Sequence, residues 1–224
     1  MFQFPKPDER VVIIGATGSG KTRQGVWLHS FRDFRRYPNV MFDFKGDDLL
    51  ARIDRARPMT LKETPKHPGL YIVRVMPHEA PELNEFLWRV WEREKTGVYI
   101  DEGYGIPNIG PNARAYNAIL TQGRSKKIPI ITLTQRPVYL SRFVFTESSY
   151  ISVFRLQDRR DFDTIRGFVP NDNPVFDMSR PLPKFNSRWY DIGQDWACEL
   201  APVPNDDEIL QRYDDALKLR TRMV

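Results

Sequence analysis

The octapeptide Gly15, Ala16, Thr17, Gly18, Ser19, Gly20, Lys21, Thr22 constrains this chain more than any other stretch. It follows Val11–Ile14, an apolar, β-branched run that reads as a buried strand, and leads into helical spacing over 21–36. Glycines there let backbone amides turn inward around a β-phosphate, where side chains would obstruct, and the helix behind them points its positive end at the same charge. Lys21 then reaches the β- and γ-phosphates, and the Thr22 hydroxyl is a ligand for Mg²⁺. The pattern is a complete P-loop, so residues 15–22 are expected to bind ATP with Mg²⁺.

The surrounding pattern fits a sheet that could carry such a loop. In the helix over 21–36, Val26, Leu28, Phe31 and Phe34 give the apolar face, and Pro38 with Asn39 ends it. Strands are expected over 40–44, 70–76, 97–101, 128–134 and 149–156, with a helix over 79–94 and another ending near Gly123. Residues 45–68 read as a short helix and an exposed basic loop. Alternation of buried-type strands with helices predicts an α/β fold, a mostly parallel sheet covered on both faces. Beyond Gly167, prolines punctuate a loop. Residues 184–200 then alternate about Ile192-Gly193-Gln194-Asp195 as a β-hairpin, and a last helix starts at Asn205. Its acids (Asp206, Asp207, Glu208) lie at its start and its bases (Lys218, Arg220, Arg222) at its end. Its stripe of Ile209, Leu210, Tyr213, Ala216 and Leu217 is expected to dock on the same domain.

Two further segments carry candidate chemistry. Gly97–Asp101 is an apolar strand ending in acids, the Walker B arrangement, in which Asp101 holds Mg²⁺ and Glu102 polarises the attacking water as general base. The bland alternative for Glu102 is a solvated loop acid. Thr134-Gln135-Arg136-Pro137 ends the next apolar strand. Gln135 at that tip would lie between the other two motifs, within reach of the attacking water or the γ-phosphate, unless the tetrapeptide is a plain turn.

With these residues in view, the chain resembles the FtsK/HerA superfamily of DNA-pumping ATPases. Asp43-Phe44-Lys45-Gly46 looks like its "DPKG" element, and Gly123-Arg124-Ser125 followed by Thr134-Gln135-Arg136-Pro137 looks like its "GRA…ATQRP" block. Four motifs stand in order over 11–137, and the likeness runs through roughly 10–167. It implies a RecA/FtsK-like P-loop NTPase. It also implies a ring homo-oligomer, usually a hexamer, around double-stranded DNA, with ATP at the subunit boundaries. Lys21, Thr22, Asp101, Glu102 and Gln135 would be the catalytic set within one subunit, and Arg124 a finger reaching the neighbour's γ-phosphate. FtsK's membrane helices and DNA-reading winged helix have no counterpart here. A bare motor resembles the genome-packaging ATPases of tailless double-stranded DNA viruses with an internal membrane. The expectation is one ATPase domain over 1–224, a motor core over about 10–167 with a C-terminal hairpin and helix over 168–224, working with capsid or membrane-vertex proteins. A filamentous-phage assembly ATPase of the Zot type, a slowly hydrolysing nucleotide-dependent scaffold and a small-molecule kinase are the rival readings.

Composition limits the alternatives. Net charge is +5, compatible with a polyanionic partner, and no base-reading module is visible, so DNA contact would be sequence-independent. One cysteine, Cys198, excludes an intrachain disulfide and, with three scattered histidines, any zinc pattern. Apolar runs fall far short of the ~20 residues needed to span a bilayer, and residues 1–10 lack a signal-peptide h-region. A soluble protein of the host cytoplasm or virion vertex is expected. Two readings stay open for the basic stretch Arg52–Lys66, phosphate tracking or a solvated loop. The same holds for the loop Gly103–Asn112, where pore-facing DNA contact would be aided by Arg114, Lys126 and Lys127. Trp88, Trp91, Phe143 and Phe145 read as core, and Cys198 as a buried hairpin residue without a redox role.

Overall fold

A computed structural model describes residues 5, 6 and 9–218. Arg220 and Arg222, expected at the end of the last helix, lie outside the described residues. Nine strands form one sheet: β1 (Val11–Ile14), β2 (Pro38–Asp43), β3 (Arg57–Met59), β4 (Gly69–Arg74), β5 (Gly97–Ile100), β6 (Ile130–Thr134), β7 (Tyr150–Val153), β8 (Ser187–Asp191) and β9 (Trp196–Leu200). Their spatial order is β3-β4-β2-β5-β6-β1-β7-β8-β9. From β3 to β7 every pairing is parallel, with Val11 opposite Ile131 on one side and Tyr150 on the other. The hairpin β8–β9 then extends the sheet antiparallel from β7.

Helices cover both faces, as alternate residues of each buried strand require. Val12 and Ile14 face a core that includes α3 (Ala80–Arg93), α4 (Arg114–Gln122), α5 (Phe143–Thr146) and α6 (Arg159–Arg166). Val11 and Ile13 face the core under α1 (Lys21–His29), α2 (Asp48–Ala51) and α7 (Asp206–Lys218). Asn205 caps α7 reciprocally with Glu208. The expected stripe does dock: Ile209 and Tyr213 are buried, and the Tyr213 hydroxyl, 2.8 Å from His29 Nδ1, donates to Val26 O.

Three boundaries differ from the sequence expectation. The first helix stops at His29, where Ser30 Oγ donates to Trp27 O. The Asp33 carboxylate then accepts from the amides of Arg35 and Arg36, folding 31–36 into turns. Pro38 and Asn39, expected to end the helix, open β2 instead, since the first residue of a strand tolerates the missing N–H. A strand absent from the expectation, β3, lies inside the basic stretch. It has three residues centred on Pro58 and sits at the sheet edge, where proline is permitted. Trp88 and Trp91 pack on the core and Phe145 is buried, but Phe143, expected with them, is 44% exposed because α5 is one turn and shows only one side inward. Cys198 is half-buried, opposite Trp189, and burial pushes its thiol up.

Candidate functional site

Strand order decides which side chains meet. Because β6 lies between β1 and β5, and β2 beyond β5, the carboxyl ends of four parallel strands bring together the loop after β1, Lys45, Asp101, Glu102 and Gln135. Such strand ends are where open α/β sheets place ligands. The loop is tied to its neighbours through its backbone, Gly15 N donating to Thr134 O and Ala16 N to Arg155 O. Gly18 and Gly20 adopt φ of 71° and 106°, conformations that side chains resist, and no side chain caps the first amides of α1. Gly15 has no room for a Cβ, which would sit 2.6 Å from that of Phe154. Lys21 opens α1 and is buried, and burial, then the nearby Lys45, lowers its pKa. Thr22 beside it is half-buried.

Asp101 follows β5 and is 1% exposed, yet neither carboxylate oxygen has a hydrogen-bond partner among the described residues. Burial pushes its carboxyl up to about 7, with Asp47, Asp43 and Glu102 adding to the effect and Lys45 opposing it. Two buried, idle oxygens near Lys21 of the phosphate loop fit a divalent cation, whose charge would restore the carboxylate. Among the described residues no cluster of three or more His, Cys, Asp or Glu could hold a metal, so the remaining ligands would be phosphate and water oxygens.

Glu102 is buried but not free. Its Oε2 is ion-paired to Lys45 Nζ, and its Oε1 accepts from the Gln135 amide at 3.1 Å. Gln135 Oε1 in turn accepts from Thr17 Oγ1 at 2.7 Å, joining the strand tip to the phosphate loop. Lys45 is the residue that reading the motifs singly overlooks. Asp43 Oδ1 accepts from the amides of Lys45, Gly46 and Asp47, and its other oxygen pairs with Arg74 at 3.0 Å. This folds a turn whose exposed side presents Lys45 to Glu102. The signal lay in the position of Asp43-Phe44-Lys45-Gly46 directly after a buried strand. Arg136 works structurally: it pairs with Asp158 and Asp161 at the start of α6, holding that helix to the tip of β6.

Arg124 is not part of this cluster. It is exposed and precedes β6, so five strand residues, roughly 17 Å at 3.3 Å each, separate it from the loop end of the sheet. It lies beside Arg10 at the opposite edge. Lys126 and Lys127 are at that edge too, away from the loop Gly103–Asn112, and Lys126 pairs with Glu94 at 2.8 Å and lies over Trp91. The loop itself exposes Tyr104 and Ile109. Of the basic stretch, Arg52 and Arg55 are engaged by Asp207 and Asp214 of α7.

No protein-family model matches the chain. Its fold is that of solved P-loop ATPases. The genome packaging NTPase B204 of Sulfolobus turreted icosahedral virus 2, in complex with ATP-gammaS, superposes with a TM-score of 0.67 at 18% identity, covering 89% of this chain and 100% of that one. ATPases 2 and 3 of EssC from Geobacillus thermodenitrificans superpose at 0.64 with 14% identity, covering 95% of this chain and 43% of that one. In sequence, the chain is 43% identical over 219 residues to the DNA packaging ATPase P9 of Enterobacteria phage PRD1, covering 95% of each. With identity of that degree along nearly the whole of both chains, and a complete phosphate loop at the head of the sheet, the chain belongs to the family of the PRD1 packaging ATPase.

Proposed function

We propose that this protein is an ATP-driven motor that moves double-stranded DNA into a viral capsid. The observation that carries it is the convergence of Lys21, Asp101, Glu102 and Gln135 on one phosphate loop, in a chain 43% identical to a packaging ATPase. Residues 15–22 hold the phosphates, with Lys21 on the β- and γ-groups. Thr22 and Asp101 would hold Mg²⁺, which when bound offsets charge between those phosphates. Glu102 takes the proton of the attacking water, and Gln135 orients that water from its anchor on Thr17. For Glu102 to do so its ion pair must open, and a γ-phosphate beside Lys45 competes for the ammonium. ATP arrival thereby frees the base.

In this reading the whole chain, 1–224, is one ATPase domain. It forms a ring homo-oligomer, a hexamer, in which Arg124 serves the site of the next subunit. The ring contacts DNA without reading sequence and docks on capsid or membrane-vertex proteins, in the host cytoplasm or at the virion vertex. No helix among the described residues is long and apolar enough to cross a membrane. Hydrolysis measured with and without long duplex DNA, alongside assembly mass in the presence of ATP, tests the proposal. Duplex DNA should stimulate turnover and Lys21→Ala should abolish it. Assembled protein whose hydrolysis ignores duplex DNA would contradict the motor.

A further inference from the structure

Three cations at the amino edge of the sheet have no counter-ion among the described residues. Arg36, Lys95 and Lys127 are exposed and line one cleft of about 290 Å³ at the starts of β2, β5 and β6, the end of the sheet away from the phosphate loop. Arg36 lies over the Tyr37 ring, and neither lysine has a side-chain hydrogen bond or ion pair among the described residues. The acids at hand are committed. Asp33, the carboxylate in the lining, accepts from the amides of Arg35 and Arg36, and Glu94, next to Lys95, pairs with Lys126 at 2.8 Å. Arg32, the remaining cation of the lining, is buried and donates to Lys6 O and Glu9 O. Arg124 stands on the same edge but on the other side of β6, beside Arg10, and does not line this cleft.

The two lysines hold costly positions. Their turns are tied together by Lys95 N donating to Lys126 O at 2.9 Å, and Lys95 and Lys127 have φ of 48° and 55°, the left-handed region that glycine enters freely and other residues resist. Nothing in their side-chain bonding within the chain accounts for lysine there. The chemistry of the cleft narrows what they meet. A protein partner wants aromatic anchors and few lysines at the centre of its contact, and a bilayer wants apolar side chains to insert beside the charges. None of the large apolar side chains exposed among the described residues lines this cleft. Uncompensated cations without apolar neighbours suit a phosphodiester backbone, which is met by charge and hydrogen bonds alone. We infer that the cleft of Arg36, Lys95 and Lys127 is a contact site for the phosphates of duplex DNA, at the edge of the sheet opposite the one that binds the nucleotide. DNA and ATP are then held by separate groups, so the contact can be removed without touching hydrolysis.

This inference rests on the DNA-motor reading, and the experiment separates the two. Fluorescence anisotropy with a labelled duplex of mixed sequence, read over a range of salt, compares the parent with Lys95→Gly/Lys127→Gly, Lys95→Gln/Lys127→Gln and Lys95→Arg/Lys127→Arg. Glycine suits both backbone positions, so the glycine pair should unfold at no lower temperature than the parent. Losing two phosphate contacts should weaken duplex binding about 10- to 100-fold near 100 mM salt and reduce the slope of log Kd against log salt by roughly 2. The glutamine pair should behave alike, and the arginine pair should bind as the parent does. Hydrolysis without DNA should stay parental in all three, while stimulation by DNA should need more DNA in the first two. If the parent binds duplex DNA and the neutral pairs match its affinity and slope, these cations are a solvated edge and the inference falls while the motor reading stands. Basal hydrolysis lost together with DNA binding would place them in a neighbour's nucleotide site instead. Capture by phosphatidylglycerol vesicles lost in the neutral pairs, with duplex affinity unchanged, would make the cleft a lipid contact and overturn the assignment. A parent that binds no duplex DNA would sink the DNA reading itself, and this site with it.

Discussion

Burial strips Asp101 of water and no donor among the described residues replaces it, so its carboxyl titrates near 7 in place of its ordinary 3.8. The sign of the consequence follows from linkage. Between about pH 4 and 7 the folded protein binds a proton that the unfolded chain has released, so stability falls as pH rises through that window and stays lowered above it. Asp101→Asn should therefore stabilise the nucleotide-free protein at pH 8, on the order of 2–4 kcal/mol, while hydrolysis is lost. Urea unfolding at pH 8 and pH 4.5 checks it: the gain should shrink at the lower pH, and no gain at pH 8 would mean that Asp101 is not held against its charge. Lys45 calls for a different measurement. Lys45→Met removes the ion pair and leaves Glu102 buried, with its Oε1 still accepting from the Gln135 amide. Turnover should fall, and ATP affinity should change less. A Lys45→Met variant with the parental turnover number would show that the ion pair is idle. The positions of Lys21 and Thr22 were legible because the phosphate loop is contiguous, its residue types encoding its own geometry. Asp101 and Gln135 were legible as polar tips on apolar strands. The Lys45–Glu102 pair was not, since its partners are 57 residues apart and meet only because β2 lies beside β5, a strand order that no local periodicity records.

Among the elements, α7 has most to gain from its docking, being charged along one side and apolar along the other. Its acids pair with Arg23, Arg52 and Arg55, but these ions are reached by water, which screens them, so they contribute little. The buried side should dominate. Ile209→Ala is expected to cost about 2–4 kcal/mol. Tyr213→Phe should cost about 1–2 kcal/mol, because its hydroxyl bridges His29 and Val26 O inside the core. His29 itself is held well below its usual range by burial and then by Arg32, so it stays neutral and accepts this arrangement. Asp214→Asn is the comparison in equilibrium unfolding, and a loss there equal to that of Ile209→Ala would overturn the ranking. The stripe that docks α7 was readable from its spacing, and so were the long buried strands. Shorter pieces escaped for a physical reason. β3 has three residues and a proline, too few for alternation to register, and its strand character comes only from the pairing of Arg57–Met59 with Tyr71–Val73. The end of α1 escaped because Asp33 folds the next residues into turns that keep Phe34 buried, mimicking one more helical turn.

At the scale of the whole molecule two predictions concern assembly on DNA. Binding should weaken steeply between about 50 and 200 mM salt, because phosphate contacts release counterions in proportion to their number; an affinity that salt does not change would point away from phosphates. The other tests the ring through Arg124. Within one subunit this side chain stands at the amino edge of the sheet, with the phosphate loop at the carboxyl edge, so it has no access to its own site. It is exposed, and like Arg10 it lines a cleft of about 420 Å³. A neighbour packed with its phosphate loop against that edge would receive a planar, permanently charged fork able to clamp two phosphate oxygens. Fingers of this kind are worth about 10³–10⁵ in rate, whereas an arginine merely closing a helix contributes under about 1 kcal/mol. Arg124→Ala should fold and bind ATP as the parent does, and hydrolyse poorly. Mixing then discriminates between a finger and a local role. Lys21→Ala subunits are inactive but keep Arg124, and Arg124→Ala subunits keep an intact phosphate loop. Where the first kind places its arginine against the second kind's loop, a complete site re-forms, so mixed assemblies should recover part of the lost hydrolysis at intermediate ratios. If mixed rings form by mass measurement and never exceed either parent variant, Arg124 does not act across the boundary, and the residue that completes the site in the neighbour must be sought elsewhere on the same edge.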